Sequence, residues 1–167
     1  NHDEAVRIDE RFGNKKWQDA EVLEIQQLFE YKFADDQGLG APIPEGFQKI
    51  PTHFVYDVKH DGRHKARMVA GGHRTQVPID SVYSGVVSLA GIRIVTFIAE
   101  HNGLDLWGTD IGNAYLESYT KEKVAFVAGP EFGALEGHTF LIRKALYGLR
   151  SSGARWHCWM ITTQRTS

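Results

Sequence analysis

The sequence predicts an α+β fold, and three observations predict it. Two stretches, 15–31 and 88–102, carry apolar residues at helical spacing. A pair of strand-like runs folds back across an Asp-Gly turn at 61–62. Short β-rich runs then alternate with loops and a last helical stretch from 104 onward. A chain of 167 residues, 42% hydrophobic and 24% charged, is long enough for one domain with a genuine core and too apolar for a disordered one.

The elements follow in order. Residues 15–31 place Trp17, Ala20, Leu23 (or Glu24), Leu28 and Tyr31 on one helical face, with Asn14 as the cap. From Ala34 to Pro51, Gly38, Gly40, Pro42, Pro44 and Gly46 punctuate the chain, and this stretch reads as a loop-like connector. "THFVYDVK" and "HKARMVAG" form a hairpin about "HDGR". The two-residue period puts Lys65, Arg67 and Val69 on one face and the apolar Ala66, Met68 and Ala70 on the other. "SLAGIRIVTFIAEHN" reads as a mostly buried helix that starts near Ser88 and closes at Asn102-Gly103. Strands follow at "LDLWGTDI", "KVAFVAG" and "HTFLIR", and "SSGARWHCWMIT" is a helix capped near Ser151 or Ser152.

Composition excludes several function classes. No apolar run approaches the ~20 residues that span a bilayer, and no signal-peptide pattern opens the chain. The lone Cys158 leaves no disulfide framework and no cysteine zinc cluster, which points to an intracellular, reducing environment. The net charge of −2 argues against a globally basic nucleic-acid binder. Local charge differs: Lys59, Arg63, Lys65 and Arg67 sit with His60 and His64 against a single acid, Asp61. A solvated hairpin tip and a phosphate-facing arm are both compatible with that run. The histidines have no zinc-ligand spacing around them and read as surface imidazoles.

Asp110, the last aspartate, ends the apolar run 104–111. Such a carboxylate suits a metal site for nucleotidyl transfer, where two Mg²⁺ ions are held roughly 4 Å apart. A turn aspartate is the simpler alternative for a lone carboxylate. Gly112, Asn113 and Ala114 leave room for a phosphate chain, and Tyr115 could lay a ring under a sugar, excluding a 2′-hydroxyl. Lys65 and Arg67 together supply an ammonium and a forked guanidinium, the two cations best suited to phosphates.

In this order, "WQDAEVLEI", "VKHDGRHKARMVAGGH", "YSGVVSLAGIRI", "WGTDIGNAYLE" and "KALYGLRSSGARW" resemble the reverse transcriptase domain of copia-type retrotransposons, from about Trp17 to Trp156. The resemblance implies the fingers and partial palm of a right-hand polymerase, with a β-hairpin arm and a mixed or antiparallel palm sheet carrying helices on one face. It divides the chain into an N-terminal helix and connector (1–51), a fingers hairpin region (52–84) and a partial palm (85–167). Asp110 matches the family's first catalytic aspartate, with the Ile111 carbonyl as a second oxygen for the same metal, Mg²⁺ or Mn²⁺. Lys65 and Arg67 match the cations facing the incoming deoxynucleoside triphosphate, Gly112, Asn113 and Ala114 its surroundings, and Tyr115 the aromatic sugar gate. Tyr147, Gly148, Arg150 and Arg155 match contacts to the nascent base pair and to an RNA or DNA template-primer.

Two departures shape the expectation. Ser151 stands where many relatives carry glutamine, and the Tyr-x-Asp-Asp hairpin that completes the carboxylate set is not found before Ser167. The remaining acids after Asp110 are Glu117, Glu122, Glu131 and Glu136. The sequence is therefore expected to be a fragment of a polyprotein, inactive by itself, with no membrane partner. The rival reading is a retroelement relic that acts at most as a nucleic-acid or nucleotide binding module. It predicts salt-dependent binding through 59–67.

Overall fold

A computed structural model describes residues 1–75 and 82–164. The segment 76–81 of the expected hairpin region and the last three tail residues, 165–167, lie outside the described residues.

The chain opens with α1 (His2–Phe12), a helix the sequence reading leaves out. It buries only Ala5 and Asp9; Ala5, Ile8 and Phe12 recur at helical spacing, but Ile8 and Phe12 stay exposed. Asn1 caps its first turn, and Gly13 closes it in the left-handed conformation. α2 (Lys16–Glu30) follows. Its N-cap position, Lys15, makes no side-chain cap; the buried Asp9 carboxylate instead accepts the Trp17 and Gln18 N–H groups at 3.1 and 3.0 Å. Asn14 contributes an adjacent turn by accepting the Lys16 N–H at 3.1 Å. α2 buries Ala20, Glu21, Glu24 and Leu28, while Leu23 is 60% exposed. The i, i+4 row thus runs through Glu24 rather than Leu23.

The expected connector 34–51 contains two strands. β1 (Ala34–Leu39) and β2 (Gln48–Lys49) form the edges of a four-stranded sheet ordered β1-β6-β5-β2, with β5 (Val124–Val127) and β6 (His138–Ile142) inside. β6 pairs antiparallel with both β1 and β5, and β2 runs parallel to β5, so the sheet is mixed. The edges are protected by charge on β1, where Asp35 and Asp36 meet Arg143 and His138, and by brevity on β2. Glycines and prolines hide both strands from a propensity reading, because edge strands tolerate them.

At the centre of the core, Phe140 of β6 stacks with Phe126 of β5 at 5.3 Å between ring centroids. Phe33 and Phe29 complete the aromatic layer beneath α2. β3 (Thr52–Val58) and β4 (His64–Ala70) form the predicted hairpin, paired antiparallel in the order Thr52↔Ala70 to Val58↔His64. Ala66, Met68 and Ala70 are buried while Lys65, Arg67 and Val69 are half-buried on the opposite face, as the two-residue period requires. One continuous apolar cluster runs from Ala20 through Met68 to Leu149, so helix, hairpin and sheet share it.

Two expectations fail. α3 (Leu89–His101) has the predicted Ser88 cap, whose hydroxyl accepts the Gly91 N–H, but it buries only Ala99. Phe97 is 68% exposed, and Leu89, Ile94 and Val95 lie open beside it. The stretch 104–111, read as a strand ending in a buried site, is irregular and exposed throughout, with Trp107 94% exposed. Its β propensity finds no neighbouring strand among the described residues, and propensity without a ladder does not make a strand. α4 (Ser152–Gln164) ends the described chain at the predicted place.

Candidate functional site

The site begins where the root of the hairpin meets the turn after β6. The Ala70 N–H, at the outer edge of β4, donates to the Tyr147 carbonyl at 2.7 Å. Gly148 has φ +89°, and a Cβ there would lie 2.1 Å from the Ala70 carbonyl oxygen. A Cβ on Gly72 would lie 2.2 Å from the Gly148 oxygen. Only glycines allow the two backbones to cross this closely. Arg150 locks the crossing by donating from Nε to the Gly72 carbonyl at 3.0 Å and from Nη2 to the His73 carbonyl at 2.9 Å. The Gly71-Gly72 pair, which carries no phosphate-loop pattern in sequence, is thus one half of a backbone junction.

Glu122 reinforces the junction from below. One of its oxygens accepts the Ser151 N–H at 3.0 Å and the Ser151 hydroxyl at 2.6 Å. The other accepts the Thr75 hydroxyl at 3.2 Å. A carboxylate here also meets the positive end of α4. Ser151, the departure from the glutamine of the resembled family, is therefore engaged in holding α4 to the junction.

Around this frame the expected residues converge in part. Asn113 adopts a left-handed conformation, φ 52° and ψ 33°, and turns the chain into a 3₁₀ turn at Ala114–Glu117. That turn brings the Tyr115 ring edge-on to the Tyr147 ring at 4.9 Å. Burial pushes the Tyr147 phenol up; the Arg67 guanidinium pulls it back, and Tyr115, Glu24 and Asp110 push it further. β4, the 110–117 segment and the 147–150 turn thus meet about Tyr147, on which the charges of Arg67 and Asp110 act. Lys65 stands two residues along the same face of β4. Arg155 lies half-buried on α4, beyond the junction.

Asp110 itself is exposed, as are Ile111 and Gly112, and Asn113 and Ala114 are half-buried. Among the described residues no three His, Cys, Asp or Glu side chains come together where they could hold a metal ion. One aspartate with a neighbouring carbonyl is too small a donor set for a pair of Mg²⁺ ions, so these residues by themselves do not fit a metal centre.

Glu24 belongs to this surface and was not singled out from the sequence. Its carboxylate, 8% exposed, accepts the Met68 N–H at 3.1 Å. Burial raises its affinity for a proton more than the Met68 bond and the Lys65 and Arg67 charges lower it. The only sequence signal was its i, i+4 alignment with Ala20 and Leu28. A second buried acid, Glu21, accepts the Tyr56 hydroxyl and faces His2 Nδ1 at 2.8 Å, on the far side of the hairpin from the junction. Trp17 packs edge-on against His64 at 4.2 Å, so His64 is not the free surface imidazole expected.

Residues 41–165 match the family described as reverse transcriptase (RNA-dependent DNA polymerase). Among curated proteins, the chain is 29% identical over 93% of its length to the Transposon Ty1-DR4 Gag-Pol polyprotein of Saccharomyces cerevisiae. The Ty1-DR6 and TyH3 Gag-Pol polyproteins of the same yeast match to the same extent. The chain spans about a tenth of the length of these relatives, 10% of the first and 9% of the others. No solved structure matches it.

Proposed function

The chain belongs to the copia-type reverse transcriptase (RNA-dependent DNA polymerase) family, and from that premise we propose that it forms the face of the polymerase against which the incoming deoxynucleoside triphosphate is held. The parent reaction is templated addition of a deoxynucleotide to a primer 3′-hydroxyl, with pyrophosphate released. Lys65 and Arg67 neutralise the triphosphate, where electrostatics and positioning do most of the work. Tyr115 lies under the sugar and excludes a 2′-hydroxyl. Tyr147 and Arg155 face the nascent pair and template, and Gly148 and Arg150 keep that turn fixed to the hairpin. Divalent metal chemistry in the parent enzyme needs carboxylates besides Asp110.

The observation that carries this reading is the meeting at Tyr147, whose carbonyl accepts the Ala70 N–H of the Arg67 strand at 2.7 Å and whose ring meets the Tyr115 ring edge-on at 4.9 Å. Three segments far apart in sequence meet there, and each supplies a residue type the reaction uses. The lone Asp110 also supports a second statement: the 167-residue chain alone does not extend a primer.

Two measurements test the pair of statements. Primer extension with Mg²⁺ or Mn²⁺ is expected to show no incorporation above background; robust incorporation overturns the inactivity. Deoxythymidine triphosphate binding by calorimetry is expected to weaken roughly tenfold in Lys65→Ala and Arg67→Ala, the loss of one charge-assisted contact. Unchanged affinity in both variants, with salt-dependent nucleic-acid binding that ignores Asp110→Asn, overturns the nucleotide-facing reading in favour of a general binding module.

A further inference from the structure

Two cations on a thin β-ribbon meet a ligand reproducibly only if something fixes the ribbon's outer edge. The N–H groups of β4 that point away from β3 have no ladder partner among the described residues. Ala70 finds the Tyr147 carbonyl, and Met68 finds the Glu24 carboxylate at 3.1 Å. Glu24 is thus bonded to the residue directly after Arg67, and its charge acts on both Lys65 and Arg67. Together with Gln27, Lys59, Arg63, His64 and Lys65 it lines a groove of about 240 Å³ between α2 and β4. Of the two α2 residues that could face the hairpin, the acid is the buried one, while Leu23 lies on the open rim of the groove.

We propose that Glu24 is a positioning residue for the triphosphate-facing cations: its bond to the Met68 N–H fixes the strand that carries Lys65 and Arg67, and its charge sets how strongly the two cations attract a phosphate chain. This rests on the reading of Lys65 and Arg67 given above. The two roles separate by chemistry. Glutamine keeps an oxygen acceptor for the Met68 N–H but removes the charge. Alanine removes both.

The experiment uses the full 167-residue chain and two readouts, exchange of the Met68 amide by NMR and binding of deoxythymidine triphosphate by calorimetry. Glu24→Gln is expected to keep the Met68 amide protected and to tighten binding roughly threefold, because a negative charge near the phosphates is gone. Glu24→Ala is expected to speed Met68 exchange roughly tenfold and to weaken binding, because the strand edge is freed. A purely structural glutamate would give Glu24→Gln the wild-type affinity, and that result overturns the proposal. So does unchanged Met68 protection in Glu24→Ala. Should Glu24→Ala fail to fold, Glu24→Gln alone still decides through its affinity. Failure of the parent reading looks different: Lys65→Ala and Arg67→Ala would then bind the triphosphate as wild type does. If they weaken binding while both Glu24 variants leave it unchanged, only the present proposal falls.

Discussion

Replacing Gly148 with alanine puts the junction to the sharpest test. The residue has φ +89°, a conformation that costs an L-residue about 1–2 kcal/mol. Its new Cβ would lie 2.1 Å from the Ala70 oxygen and 2.7 Å from Val69 Cγ1, both parts of the hairpin root. Relief requires the turn and the hairpin to separate, and overpacking of that kind costs about 1–3 kcal/mol. Separation also endangers the Ala70-to-Tyr147 hydrogen bond, worth about 1 kcal/mol net. Gly148→Ala is therefore expected to destabilise by about 3–6 kcal/mol. At about 2–4 °C per kcal/mol for a chain of this size, the melting temperature should fall by roughly 6–24 °C. Gly13→Ala is the control, because Gly13 has φ +62° with nothing near its missing Cβ, and only the conformational cost of about 1–2 kcal/mol applies. Urea denaturation of both variants gives the comparison. Equal losses in the two would refute the close crossing.

Three more expectations follow from named contacts. Asp9→Ala removes the acceptor for the Trp17 and Gln18 N–H groups and should cost about 1–2 kcal/mol at neutral pH. Burial raises the Asp9 carboxyl, but its hydrogen bonds to Gln18 and Trp17 outweigh that and hold it below the ordinary value. Its stabilisation is therefore complete above about pH 4 and lost as the pH falls through the lowered value, so the wild-type advantage in urea melts should shrink in acid. Arg150→Lys cannot reproduce the forked grip on the Gly72 and His73 carbonyls; a loss of about 1 kcal/mol by urea denaturation is expected, and no loss would show the grip is idle. Glu122→Ala strands the Ser151 N–H and hydroxyl, while the Thr75 hydroxyl keeps the Gly72 carbonyl at 2.8 Å; the expected cost is about 1–3 kcal/mol, and Glu122→Gln should recover part of it.

The hairpin was legible because its signals are local. An Asp-Gly turn sets the register, and the two-residue period puts Lys65 and Arg67 on one face. The caps of α3 at Ser88 and Asn102-Gly103 were legible for the same reason. What escaped depends on partners distant in sequence. β1 looks like a loop until β6 supplies its ladder, and "LDLWGTDI" looks like a strand although no ladder reaches it among the described residues. α2 was legible but its face was left open between Leu23 and Glu24, since an inward Glu24 makes sense only once the Met68 N–H is seen to need an acceptor. Of the candidate site, Asp110 and Tyr115 were read from spacing and resemblance. The crossing of Gly72 with Gly148 was not, because two glycines 76 positions apart announce nothing until the backbones touch.

The anchoring of the hairpin has a mechanical consequence. Met68 is tied to α2 and Ala70 to the 147–150 turn, and Gly72 lies in the crossing. Further out, Glu21 accepts the Tyr56 hydroxyl and Trp17 packs on His64, so α2 grips the ribbon as far as His64. The hairpin is thus a beam held along its length, and its overhang is the turn Lys59–Arg63. Gly62 lies two residues past His64, ~7 Å at strand rise, so a tilt of about 10° there moves it only ~1.2 Å. Lys65 and Arg67 both lie inside the gripped span, so bending of the overhang leaves their aim unchanged.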